Sequence, residues 1–91
     1  MKFKLGQVVT TRTINNDIAE NNTFAKEVTE SLKRYVNCDW GDTHEDDKPI
    51  NDDAVKHGER ILAAYKTSKG KIWIITEWDR SATTILYPDE Y

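Results

Sequence analysis

RILAAYKTSKGKIWIITEWDRSATTILYP, residues 60–88, decides the fold. Ile61, Ala63 and Tyr65 alternate with Arg60, Leu62, Ala64 and Lys66, the period of two that belongs to a β-strand. Thr67-Ser68-Lys69-Gly70 then supplies a hairpin turn, with a glycine free to take positive φ. Lys71–Trp78 repeats the alternation, with Ile72, Ile74, Thr76 and Trp78 set against Trp73, Ile75 and Glu77. Asp79-Arg80-Ser81 turns the chain again, and Ala82–Tyr87 forms a third strand stopped by Pro88. Two short turns between three strands predict an antiparallel meander. Both faces of its central strand carry large apolar groups, so one face packs on helices and the other is only partly solvated.

Upstream of Gly58 the period changes to 3.6. Pro49 suits the first turn of a helix that Gly58 ends, with Asp52 and Asp53 near its start and Lys56 and His57 near its end in the sense the helix dipole favours. Before it, CDWGDTHEDDK (38–48) has no period and reads as a loop in which Trp40 is the only large apolar group. Asn22 or Thr23 caps a longer helix, where Phe24, Val28, Leu32 and Tyr35 or Val36 form one apolar stripe opposite Lys26, Glu30 and Lys33. Thr13, Asn15 and Asn16 are candidate caps for a short helix of two turns at most, with Ile14 and Ile18 on one side. Leu5–Ile14 is rich in β-branched residues and reads as a strand. The order β-α-α-α-β-β-β predicts a single α+β domain over 1–91. Its antiparallel sheet combines the N-terminal strand with the C-terminal meander, and two to three helices pack on one face. Where the first strand joins the sheet is left open.

A chain of 91 residues with 37% hydrophobic and 32% charged residues buries roughly 60–65% of its unfolded surface, enough for one modest core. Its longest apolar run is Ile72–Ile75, and the N-terminus lacks the apolar core of a signal peptide, so the protein is read as cytoplasmic and unprocessed, without membrane contact. The single cysteine, Cys38, forms no internal disulfide and leaves no CxxC site. Four glycines, Gly6, Gly41, Gly58 and Gly70, are too dispersed for a phosphate-binding loop. Direct nucleic-acid binding is disfavoured by a net charge of −3 and by tryptophans without a cluster of Lys and Arg around them in sequence.

Catalytic constellations are scarce. A Cys38–His44 nucleophile pair oriented by Asp39 or Asp42 is the one covalent arrangement the loop spells, and the surrounding acids disfavour its thiolate. Asp39, Asp42, Glu45, Asp46 and Asp47 are hard oxygen donors, but their spacing does not match the calcium loop, and no metal or cofactor is expected.

Charge distribution is the sharper signal. Residues 37–59 hold eight acids and two bases, a net −6, so the rest of the chain sums to +3 against the overall −3. A local patch of this kind raises the on-rate for a basic partner and suits a groove that otherwise holds a phosphate backbone. The plainer reading is a charged loop and an amphipathic helix facing water. Asp39, Trp40, Asp42, Glu45, Asp46, Asp47, Asp52 and Asp53 are the candidate partner-binding residues. Trp40 either tucks beneath the loop to hold it or stays exposed as an anchor, and the structural role is the expected one because the loop has no other large apolar group.

The segments DWGD (39–42), INDDAVKHGERILAAY (50–65) and above all KIWIITEWDRSATTILYPDEY (71–91), with the opening KFKLGQVVTTRTIN, resemble a family of small accessory proteins carried by plasmids, integrative elements and phages of Gram-positive bacteria. The likeness spans essentially the whole chain and carries over no functional residue. It implies a mobile-element context, in which small acidic proteins often serve in counter-defence against CRISPR nucleases or restriction enzymes. The expectation is a non-enzymatic inhibitor, monomer or homodimer, whose protein partner is a basic nucleic-acid-binding enzyme met through the acidic patch. A second expectation is a regulatory or maintenance module pairing with a DNA-binding protein of its own element through Trp73, Ile75 and Glu77 on the sheet. A small enzyme or divalent-metal-binding protein ranks third.

Overall fold

The computed structural model describes residues 2–91. Strand β1 (Gln7–Thr10) leads directly into helices α1 (Arg12–Glu20) and α2 (Asn22–Val36); after the acidic loop come α3 (Lys48–His57), β2 (Ile61–Thr67), β3 (Gly70–Thr76) and β4 (Ala82–Leu86), and Pro88–Glu90 make a 3₁₀ turn. The fold is α+β, and the three C-terminal strands form the anticipated antiparallel meander, with Ala64 opposite Trp73 and Ile74 opposite Ile85.

The sheet is not purely antiparallel. Its order is β1-β4-β3-β2, and β1 runs parallel to β4 from the Gln7–Ala82 pair to the Thr10–Ile85 pair. The geometry has a simple cause. Three helices carry the chain from β1 to the far edge, and two reversals across the meander bring β4 back beside β1 pointing the same way. Gly6 permits the approach: its φ is +63°, and a Cβ there would lie 2.3 Å from the Arg80 carbonyl oxygen.

The anticipated first strand is shortened at both ends, because Thr11 stops it by capping α1 and accepting from the Ile14 amide at 3.3 Å. Helix α1 therefore starts before Thr13 and runs nine residues, with Ile14 fully buried. Helix α2 is capped by Asn21, which accepts from the Phe24 amide at 3.0 Å, one residue ahead of the predicted caps. Its stripe of Phe24, Val28 and Tyr35 enters the core, with Leu32 half-buried beside them. Pro49 lies in the first turn of α3 and left-handed Gly58 ends it, as the sequence predicts.

The core lies between the helices and one sheet face, where Ile61, Ala63, Tyr65, Ile72, Ile74 and Ile85 meet Ile14, Phe24, Val28, Tyr35, Trp40 and Ala54. A chain of buried hydroxyls runs through it. Tyr35 and Thr76 share a hydrogen bond of 2.7 Å, Thr76 and Thr83 one of 2.8 Å, and Thr83 donates to the Leu5 carbonyl at 2.7 Å. Every member is satisfied, so the polar groups cost little and tie α2, β3, β4 and the N-terminal segment together. On the other sheet face Ala64, Ile75 and Leu86 are nonetheless buried, while Trp73 is half-buried with Tyr91 edge-on at 5.6 Å. Trp78 stands in the following turn, 68% exposed. Among the described residues no helix is long and apolar enough to cross a membrane.

Candidate functional site

The acidic loop is braced rather than loose. Past the end of α2 the chain turns through Cys38 at φ 61°, and the amides of Cys38 and Asp39 return to the last turn at the Tyr35 and Arg34 carbonyls. The Asp39 carboxylate accepts from Arg34 Nε at 2.8 Å and Nη2 at 3.2 Å, and from the Gly41 amide at 3.1 Å. The guanidinium, followed by that amide, holds the carboxyl below the usual carboxylate range. Gly41 is required where it stands. Its φ is +63°, and a Cβ would lie 2.4 Å from the Tyr65 ring, whose hydroxyl donates to the Asp39 carbonyl at 2.7 Å.

From Gly41 onward the loop and α3 cover the outer edge of β2. The Asp42 amide donates to the Ala64 carbonyl at 2.8 Å, and the Asp42 carboxylate accepts from the Lys66 amide at 2.9 Å. Thr43 Oγ1 accepts from the Ala64 amide at 2.9 Å and donates to the Trp40 carbonyl. Asn51, on the buried side of α3, donates to the Leu62 carbonyl at 2.8 Å and accepts from the Leu62 amide at 3.4 Å. The outward amides and carbonyls of Leu62 and Ala64 and the amide of Lys66 are thereby occupied, on an edge that would otherwise template strand addition.

Trp40 is 4% exposed, its ring edge-on to Tyr35 at 5.6 Å and tilted against Phe3 at 6.3 Å, and its Nε1 donates to Asp52 Oδ1 at 2.8 Å. Its ring is buried, the arrangement expected of the structural role and not of an exposed anchor among the contact residues. The other seven candidates divide in two. Asp39, Asp42 and Asp52 hold the loop through Arg34, the Lys66 amide and Trp40. Glu45, Asp46, Asp47 and Asp53, exposed as those three are, make no such bracing contact. Glu45 pairs with Lys48 at 3.0 Å, and the Asp46 amide donates to His44 Nδ1 at 3.1 Å. The carboxylates of Asp47 and Asp53 have no partner among the described residues.

Thr43 and Asn51 are the functional-looking residues that sequence reasoning passes over. Asparagine inside a helix is a poor choice unless its amide has a partner, and that was the available signal. The Cys38 thiol is pushed up by partial burial, against a nucleophilic role. Among the described residues no three His, Cys, Asp or Glu side chains converge to hold a metal ion. The arrangement is a hydrogen-bonded loop and helix bearing seven exposed carboxylates. Comparison with protein-family models, curated proteins and solved structures finds no match to this chain.

Proposed function

We propose that the protein is a non-enzymatic binding module whose loop 38–47 and helix α3 present a pre-organised acidic surface to a basic protein. The observation that carries this reading is the division of labour among these exposed acids: Asp39, Asp42 and Asp52 fasten the frame, and Asp46, Asp47 and Asp53 make no such bracing bond. A surface fixed before the encounter loses less conformational freedom on binding than a floppy one. With the resemblance to accessory proteins of mobile elements, the partner is a nucleic-acid-handling enzyme of host defence, a CRISPR nuclease or restriction enzyme, and the role is counter-defence.

Binding to purified CRISPR nucleases and restriction enzymes at low and high salt tests the proposal. Tight binding at low salt that weakens as salt rises, and falls at least tenfold in Asp46→Lys/Asp47→Lys/Asp53→Lys, supports it. No binding, or binding indifferent to both perturbations, removes it. Trp73, half-buried on the sheet face away from the helices, favours a second reading, a regulatory or maintenance module that meets a DNA-binding protein of its own element through that face, although Ile75, 3% exposed, drops out of the contact residues expected for it. Trp73→Ser weakening binding to such a protein while the triple charge reversal leaves it intact would select that reading.

A further inference from the structure

Helix α3 carries an apolar residue its core face does not explain. Asn51 and Ala54 are the buried residues of this helix, whereas Ile50 is 61% exposed, three positions from Asp47 on one side and from Asp53 on the other. Beside it lies a notch of about 250 Å³, lined by Thr43, Asp47, Ile50, Asn51, Arg60 and Leu62, where the acidic loop, the first turn of α3 and the start of β2 meet.

The polar groups of this notch are already engaged. Asn51 holds both backbone groups of Leu62, and Thr43 bridges the Ala64 amide and the Trp40 carbonyl. Arg60 donates to the Tyr91 hydroxyl at 2.6 Å and lies 3.7 Å from the Glu77 carboxylate. What remains for an incoming group is the aliphatic surface of Ile50 and Leu62 and, at the rim, the unpartnered carboxylate of Asp47. The volume suits one side chain and no more.

We infer that the notch is the anchor point of the acidic surface, and that it takes a single aliphatic side chain, leucine-sized, from a partner segment with lysine or arginine on either side. This rests on the proposed function and names the chemistry of its partner. The division follows the usual anatomy of an interface: rim charges steer the encounter and set its salt dependence, and one desolvated apolar anchor near them slows dissociation.

Two labelled peptides test it against the full chain, Lys-Arg-Leu-Lys-Arg and the equally charged Lys-Arg-Ser-Lys-Arg, both capped. The leucine peptide is expected to bind about tenfold tighter, the order given by burying one aliphatic side chain. Ile50→Ser, at an exposed position that does not endanger folding, abolishes the difference and leaves the salt-dependent binding of the serine peptide unchanged; Ile50→Val retains it. Equal affinity for the two peptides, or discrimination that survives Ile50→Ser, overturns the anchor while the charge-dependent docking still stands. Binding of neither peptide at low salt overturns both the anchor and the acidic docking surface on which it rests.

Discussion

Replacing Trp40 with alanine tests whether the acidic surface is held from below. The ring is 4% exposed, packs on Tyr35 and Phe3, and donates from Nε1 to Asp52. Truncating a buried tryptophan costs roughly 3–5 kcal/mol. A domain of 91 residues has a total stability of about 5–14 kcal/mol on the usual per-residue scale. At about 4–8 °C per kcal/mol for a domain of this size, the melting temperature followed by circular dichroism should fall on the order of 12–40 °C. Trp40→Phe separates the two contributions: it keeps most of the packing and removes only the hydrogen bond to an exposed carboxylate, a loss of about 0.5–1.5 kcal/mol. A melting temperature for Trp40→Ala within a few degrees of the parent would refute the reasoning. It would mean that the loop is held by its edge hydrogen bonds alone.

Gly41→Ala forces a side chain into left-handed backbone and against the Tyr65 ring, 2.4 Å from its nearest atom; it should destabilise by at least about 1–3 kcal/mol in urea titration, and an unchanged midpoint would show that the loop can move aside. Asn51→Leu leaves the Leu62 amide and carbonyl unpaired at the β2 edge; a loss of about 2–3 kcal/mol and faster hydrogen exchange of the Leu62 amide are expected, slow exchange being the contrary result. The Asp39 carboxyl is held low by Arg34 when folded, so the stability it adds is present above its unfolded value, near 3.9, and disappears as pH falls through the lower folded value. Arg34→Gln should return its titration, read by carbon-13 NMR, toward the ordinary range, and no movement would place the cause elsewhere.

The parts of the fold legible in sequence were those made by neighbours. The meander follows from alternation and two turns, and α2 from an apolar stripe at helical spacing, because strand pairing across short turns and the helical period are both written in neighbouring residues. The parallel seating of β1 was not legible: a four-residue strand without a strongly apolar face carries no mark of its partner, and β4 lies across the whole chain from it. The acidic surface was legible as composition and not as architecture. Asp42 and Asp52 look like Asp46 and Asp47 in a string of letters, and only the positions of the Lys66 amide and the Trp40 indole separate the carboxylates that brace from those that do not. Asn51 and Thr43 stayed hidden because their role is to satisfy backbone atoms, which sequence periodicity does not record.

The parallel pairing of β1 with β4 also sets an order of assembly. Gln7 meets Ala82, 75 positions further on, so this seam closes only after residue 82 has emerged from the ribosome. Helices α1 and α2 can form earlier from local contacts, and until β4 is made β1 has a bare edge where β4 will lie. Association between nascent copies through that edge competes with the correct closure, and the competition grows with the rate of synthesis. Production at lower temperature, or fusion of a solubilising domain ahead of Phe3, should therefore change the yield of folded protein more than any substitution on the acidic surface.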